Sequence, residues 1–493
     1  LKAEFFALGF SVHFKEDIMK RIFVLSAVLL FQTSLHAMTL GEYLDIVSKR
    51  HRSILSLEAQ KEASDFKREA GDIDLVPVLQ GGYGYLRDKS PSNQFVSFGA
   101  DESKITDYTL SLAKKFSSGT SIKLFAQAQE FENPGIGSVP LFATLEEYSV
   151  GSLGVAASQS LWKDFFGYGT RLRRESESFE NKSEKANADL NIRGLLAKAE
   201  GDFWEYIYWS ENRIIAKGSL DRSKKIESWM KRRTSDGISD RADLYEVQGL
   251  VASRQLAVIA ADDAWAAARR RVRDNLELAE SDPMPELQGD LSAPRSLMAM
   301  IGSNKGKIVA LEAYAAAMSA KRYEAIAKKV DDDLKPDLVL SGSYNTNSME
   351  DSLTAATREW GDTNRPTMKI GVNFVYPIDT DVKQAARNQA KSGALAAKLQ
   401  SERAMLESDS AWIELNRQYS DMNARIEAAS NLLKIQTSRS KAQVDKFNKG
   451  RSITSDVVNS EEDVANSELN VARLKTEQRK MEAQARLFIT VEE

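Results

Sequence analysis

The residues that most enzymes use for covalent and metal chemistry are nearly missing from this chain. It has no Cys, which excludes thiolate nucleophiles, thiolate zinc sites and disulfides. Past a leader-like N-terminal stretch one His remains, His51, which argues against His-based acid/base or metal chemistry. No Gly-rich phosphate loop or nucleophile elbow appears. Carboxylates are plentiful, but nothing in the sequence fixes two of them together. Those on helical stretches therefore read as solvated faces or as lining, and "DDD" (331–333) reads as a solvated helix end. No catalytic residue, metal site or cofactor is assigned. A formal charge of −4 over 493 residues gives no basic footprint for nucleic acid.

What recurs is a turn. "SDGISDRADLYEVQ" and "NKGRSITSDVVNSE" each place an Asp at Gly-x5-Asp, followed by two apolar or aromatic residues. The pairs are Gly237/Asp243 and Gly450/Asp456. Both glycines fit left-handed turns at helix ends. An Asp in the turn that follows suits a helix start, where it complements the dipole.

The stretches around these turns are helical. The ten Pro residues leave 141–282 and 378–493 free of helix breakers. The compositions, rich in Ala, Leu, Gln, Glu, Lys and Arg, favour helices over 172–233, 239–279, 383–447 and 453–489. The third would be about 95 Å long. Such lengths belong to coiled-coil-like arrays. The aromatic run "DFWEYIYW" (202–209) has helical spacing and reads as packing core. Shorter helices are expected over 39–72 and 303–331.

Between the helices the period changes to two. "LQGGYGYL" places Leu79, Tyr83 and Tyr85 on one face. "ITDYTLSLAKKF" puts Tyr108, Leu110 and Leu112 opposite Thr109 and Ser111. "SIKLFAQAQ" puts Ile122 and Leu124 opposite Lys123 and Phe125. "YSVGSLGVAASQSLW", "DLVLSGSY" and "MKIGVNFVY" continue the pattern. Strands are expected at about 76–87, 104–116, 120–131, 147–161 and, twice more, within 337–377. Their length and alternation fit tilted membrane strands. The segments 88–103, 131–146 and 345–365 read as long polar loops, and "SSGT" (117–120) as a tight turn.

At the N-terminus, "MKRIFVLSAVLLFQTSLHA" from Met19 has the charged and apolar regions of a secretory signal, with Ala37 at the cleavage position. The residues before Met19 fit no part of such a signal. Three divisions follow: 1–37, an upstream extension and signal peptide; 38–302, a first repeat closed by a Pro-rich linker (281–302); and 303–493, a second repeat. Each repeat runs helix, strands, long helix, Gly turn, returning helix.

This plan resembles the TolC-like outer-membrane efflux family. The resemblance spans about 38–490. It rests on the duplication, the strand-to-helix junctions "ASQSLWKDFFGYGTRLRRES" and "VNFVYPIDTDVKQAARNQA", and the two tips. It implies a membrane α+β fold in which a trimeric outer-membrane β-barrel continues into a long periplasmic α-helical barrel. It also implies a homotrimer embedded in outer-membrane lipid. Its partners would be a periplasmic adaptor protein and an inner-membrane pump, with no nucleic acid. The implied function is the passive exit duct of a tripartite efflux or type I secretion system, gated at its periplasmic tip. The alternative is a periplasmic or secreted coiled-coil spacer without a pore.

Residue by residue, the resemblance assigns Asp456, with Asn459, to the periplasmic gate. Asp243 would link to a neighbouring tip, with Arg241 and Arg451 as candidate partners. Gly237, Ile238 and Gly450 fall at the adaptor-docking turns. The residues before the tip glycines are Asp236 and Lys449, where family tips carry Val. Trp162, Phe165, Phe166 and, in the second repeat, Tyr376 are the membrane-interface aromatics. The family supplies four barrel strands per chain. The six candidates here favour an eighteen-stranded trimer over twelve, unless the extra hairpin lies outside the wall.

Overall fold

The computed structural model describes residues 37–138, 140–301, 306–361 and 365–491. Apart from Ala37, the leader and upstream extension expected over 1–37 lie outside them. Among the described residues no helix is long and apolar enough to cross a membrane.

The described residues open with two helices, α1 (Leu40–Arg50) and α2 (Arg52–Ala70). Thr39 starts α1 with a capping box: its backbone N–H donates to the Glu42 carboxylate at 2.8 Å. The single helix expected over 39–72 is broken at His51, whose extended backbone ends α1 and begins α2.

Strands β1 (Val78–Asp88), β2 (Ser103–Lys115), β3 (Thr120–Glu132) and β4 (Glu147–Ser160) follow, with short helix α3 (Gln94–Ser97) between the first two. The long hairpin α4 (Tyr168–Ser235) and α5 (Arg241–Asn275) comes next, then α6 (Leu297–Ile301) in the linker region. The second half contains β5 (Lys307–Ala310), α7 (Leu311–Asp333), β6 (Asp337–Glu350), α8 (Leu353–Arg358) and β7 (Thr367–Val375). Hairpin α9 (Thr380–Asn448) and α10 (Thr454–Gln484) and strand β8 (Phe488–Val491) complete it.

Two expected helix ends are strands. The helix placed over 303–331 begins at Leu311, and the one placed over 453–489 stops at Gln484. Instead Lys307–Ala310 pairs with Phe488–Val491 as β5 with β8, antiparallel, Val309 opposite Ile489. Phe488 and Leu415 anchor this small sheet in one apolar cluster. Arg193 on α4 donates to the carbonyls of Arg486 and Phe488 at 3.0 and 3.2 Å. β-branched Ile308, Val309, Ile489 and Val491 favour strand once a partner is present. That partner is far away in sequence, so local composition does not reveal it.

All six long strands form one sheet in the order β1-β2-β3-β4-β6-β7. Every neighbouring pair is antiparallel, and β4 joins β6 across the two halves. The extra hairpin is therefore continuous with the other strands.

Two of the apolar cores among the described residues pack the long hairpins. One gathers Tyr43, Val47, Phe203, Trp204, Ile207, Val272 and Leu276, which places the "DFWEYIYW" run inside as expected. The other, near the hairpin turns, joins Met230 of α4, Val247 of α5, Phe447 of α9 and Val457 of α10.

Two carboxylate expectations are overturned. Asp332, within "DDD", is buried. It accepts the Asp164 backbone N–H at 2.9 Å and Lys335 Nζ at 2.7 Å, so it ties α7 to the junction between β4 and α4. Glu200 and Glu482 are also buried, and Arg295 from the linker bonds both. Only tertiary structure brings such distant charges together.

Candidate functional site

Two regions carry the residues singled out by the sequence: the hairpin turns and the sheet.

At the turns, Gly237 and Gly450 both sit at φ 72°. Ile238 N–H donates to Arg233 O at 2.8 Å, and Gly237 N–H to Thr234 O at 3.2 Å. In the second copy Arg451 N–H donates to Lys446 O at 2.8 Å, and Gly450 N–H to Phe447 O at 3.0 Å. Both are Schellman endings, in which a left-handed residue lets the chain satisfy the last carbonyls of the helix. Asp236 and Lys449 are the capping residues before these glycines. No atom lies within 4 Å of a Cβ added at either glycine. The turns are thus open surfaces, with Ile238 and Ile453 exposed beside them.

The carboxylates of the turns differ. Asp456, in the first turn of α10, accepts the Ser452 hydroxyl at 3.1 Å. Asp243 occupies the first turn of α5 and is half-buried, with Arg241 exposed at the helix start. Among the described residues Asp243, Arg241 and Arg451 make no ion pair within the chain. Asn459 is exposed one turn beyond Asp456.

Sequence reasoning missed the residues that hold the two hairpins together. Arg222 Nε on α4 donates to Glu461 Oε2 on α10 at 2.8 Å, and its Nη2 to Glu468 at 3.2 Å. Burial opposes the Arg222 charge, but Glu461 and Glu468 hold its pKa above the ordinary value. Ser440 on α9 donates to Glu461 Oε1 at 2.5 Å. Nearer the turn, Arg233 donates to Phe447 O at 3.0 Å and lies over the Phe447 ring at 4.8 Å.

The register of the sheet separates two faces. One row reads Leu79, Leu112, Leu124, Val155, Tyr344, Met368 across all six strands. Along β7 the same face carries Ile370, Val372 and Phe374, exposed at 71, 65 and 58%. Over these rows the face is apolar, and towards the far end it takes up Thr106, Glu130, Ser149 and Glu350. The opposite face has the row Gln80, Ser111, Phe125, Gly154, Asn345, Thr367 and next to it Gly82, Thr109, Gln127, Ser152, Asn347. It is polar and less exposed.

The loops at the far end of the sheet are not simply polar. Phe131 and Tyr148 stack at 4.6 Å, Phe95 lies 6.4 Å from Tyr148, and Phe98 stacks on Phe142. Ser103 and Asn133, both fully buried, share a hydrogen bond of 2.7 Å beneath them.

At the near end, Trp162, Phe165 and Phe166 are all about half exposed where β4 turns into α4. Phe165 and Phe166 meet edge to face at 4.7 Å. Tyr376 holds the matching place after β7, with Lys383 Nζ 3.3 Å from its ring centre. Among the described residues no cluster of His, Asp and Glu is arranged to hold a metal.

No family model matches the chain, and no curated protein does. Solved structures do. The outer membrane protein VceC of Vibrio cholerae is 12% identical, with a TM-score of 0.63 over 91% of this chain and 94% of that one. The open state of the MtrE outer membrane channel of Neisseria gonorrhoeae is 15% identical, with a TM-score of 0.61 over 91% and 88%. CusC, described with transmembrane channel formation, is 13% identical, with a TM-score of 0.61 over 91% of each chain. The chain has the fold of the TolC-like outer-membrane channels.

Proposed function

We propose that the protein is an outer-membrane exit duct for efflux, a passive conduit whose energy comes from a partner pump. The observation that carries this reading is the apolar row from Leu79 to Met368, which crosses every strand of the sheet. A face of this kind suits lipid, and the polar face behind it suits a water-filled lumen.

A single chain leaves β1 and β7 as open edges. Unpaired edges are excluded from a bilayer, so the sheet must close on other copies. Three sheets of six strands give an eighteen-stranded barrel. The helices support the same symmetry. Leu399, Leu406 and Ile413 recur every seven residues on α9 and are exposed at 55, 64 and 68% in one chain. A heptad stripe of that exposure fits a neighbouring helix.

The hairpin turns would form the periplasmic mouth. Asp456 would face the pore axis in a ring of three, attracting cations and repelling anions, with Asn459 beside it. Asp243, which makes no ion pair among the described residues, would find Arg241 or Arg451 on a neighbouring tip. Gly237, Ile238, Gly450, Asp236 and Lys449 would present the surface for a periplasmic adaptor. Trp162, Phe165, Phe166 and Tyr376 would lie at the periplasmic membrane–water interface of the barrel. Service in type I secretion would use the same conduit.

Cryo-electron microscopy of the full-length protein in detergent tests the proposal. A hollow threefold particle with an eighteen-stranded barrel and a helical tunnel is expected. A narrow solid rod, or a compact particle soluble without detergent, would leave the spacer reading instead.

A further inference from the structure

The polar face of the sheet is not uniform along its length. Towards its outer end one row is apolar: Leu86, Ile105, Phe131, Tyr148. Its middle rows are mostly amides, hydroxyls and glycine. Near the helices it turns basic. The row Val78, Ala113, Lys123, Ala156, Ser343, Lys369 carries two lysines three strands apart. Lys115 lies opposite Ser121, so it is the diagonal neighbour of Lys123. Diagonal neighbours on one face stand about 7–8 Å apart, close enough for both ammonium groups to reach one anion.

These lysines line a single hollow of about 660 Å³ on this face, together with the hydroxyls of Ser121, Ser158 and Ser343. Among the described residues Lys115, Lys123 and Lys369 make no ion pair. One carboxylate reaches the hollow, that of Asp74, and Arg173 already holds it at 3.2 Å. The lining therefore offers ammonium groups and hydroxyl donors without a competing free acid. That is the donor set that recognises sulfonate, carboxylate or phosphate groups.

We propose that this hollow is an anion-binding surface inside the barrel, with Lys115, Lys123 and Lys369 as its recognition groups, and that the cargo class of the duct includes organic anions, which the Asp456 ring holds back only while the mouth is shut. The inference rests on the duct reading for its position in a lumen, but the anion site itself does not. Lys123 and Lys369 are roughly 14 Å apart across three strand spacings. A ligand with several anionic groups on a rigid frame would engage more than one lysine at once. The attraction acts over about one Debye length, about 8 Å at physiological salt and 3 Å at 1 M.

The test uses the full-length protein in neutral detergent and pyranine, a rigid trisulfonate, as the probe. Fluorescence anisotropy at low salt is expected to show binding that disappears at about 1 M salt. The triple variant Lys115→Gln, Lys123→Gln, Lys369→Gln is expected to bind roughly tenfold more weakly. A control triple with Lys391→Gln, Lys434→Gln and Lys441→Gln, all exposed on α9, should bind as the parent does. Equal binding by the parent and the barrel triple, or equal loss in the control, would overturn the proposal. Planar-bilayer recordings under a KCl gradient separate it from the duct reading. The barrel triple should shift the reversal potential towards cation preference. Conduction without that shift sinks the anion surface and leaves the duct. Lysine-dependent pyranine binding by a protein that never conducts sinks the duct and leaves the anion surface.

Discussion

Glu461 on α10 receives Arg222 of α4 through one carboxylate oxygen and Ser440 of α9 through the other. One buried acid thereby fastens three long helices, including members of both hairpins, above the tips. If the tips open by splaying one hairpin from the other, this contact must break or stretch. Replacing Arg222 with Gln leaves Glu461 with half its partners, and hydrogen bonds to charged groups contribute about 1.5–3 kcal/mol each. The Arg222→Gln protein should lose roughly 2 kcal/mol of stability. It should also conduct more than the parent in planar bilayers. Unchanged conductance alongside reduced stability would make the contact purely structural.

The tip glycines provide an independent measure. A Cβ at Gly237 or Gly450 meets no atom within 4 Å, so only the backbone at φ 72° resists substitution. An L-residue other than Asn or Asp in this conformation costs about 1–2 kcal/mol. Gly450→Ala should therefore lower stability by about 1 kcal/mol, and Gly450→Asn by less. Thermal unfolding in detergent reads the difference. Equal losses for Ala and Asn would mean that something other than left-handed backbone is required there.

These turns were legible in the sequence because Gly450 interrupts a long Pro-free helical run where only a helix end calls for it, and Gly237 repeats its spacing to Asp. Strand alternation was legible for a similar reason: Leu110 and Leu112 against Thr109 and Ser111 is a local pattern, and the register of β2 confirms which residues share a face. Contacts between distant segments were not. Nothing near Glu200 in the chain announces Arg295, and nothing near Asp332 announces the backbone of Asp164. In sequence alone both acids look solvated, because surface carboxylates are the common case. The β5–β8 pair is hidden in the same way, since each strand alone looks like the frayed end of a helix.

The buried charges at mid-height predict the largest stability effect. Arg479 and Glu482 are both fully buried and meet at 2.8 Å, while Arg295 Nε reaches Glu482 at 3.0 Å. Burial pushes the Arg479 guanidinium below its ordinary pKa despite Glu482. Arg295 is also penalised by burial, yet Glu200 and Glu482 keep it above its ordinary value. Removing one member of such a buried set costs about 3–5 kcal/mol, because the partner charge stays behind. Glu482→Gln should show a loss of that size in denaturant unfolding. A loss below about 1 kcal/mol would mean that water already reaches the cluster.

Tyr419 reports on the same cluster through pH. Its single hydroxyl proton is shared between Arg295 O at 2.7 Å and Glu482 at 3.1 Å. Burial, reinforced by the Glu482 charge, pushes the phenol up to about 12. Unfolded, it would titrate near 10. The folded state therefore holds this proton more tightly than the unfolded state does. The associated stability is complete below about pH 10 and is lost as pH rises towards 12. Over that range the parent should lose stability more steeply than Tyr419→Phe. Absorbance at the phenolate band should also show one late-titrating Tyr that the variant lacks. Parallel stability profiles would place Tyr419 in ordinary solvent contact.

The sheet makes the sharpest prediction, because nearby positions on one strand should behave oppositely. Leu124 on β3 belongs to the apolar row, between Leu112 and Val155. Gln127, three residues on, faces the other way and bonds Asp107 at 2.7 Å. In a lipid-facing wall an Arg at the midplane costs about 2–4 kcal/mol, whereas the lumen tolerates charge. Leu124→Arg should therefore fail to assemble in membranes. Gln127→Arg should assemble normally, its guanidinium beside Asp107. In a soluble sheet with one wet face the exposed Leu124 would accept Arg readily, and the more covered Gln127 would be the sensitive position. Heat-modifiable migration of the membrane-extracted variants on gels distinguishes the two outcomes. The loss of Gln127→Arg with survival of Leu124→Arg would reverse the assignment of the two faces and, with it, the barrel.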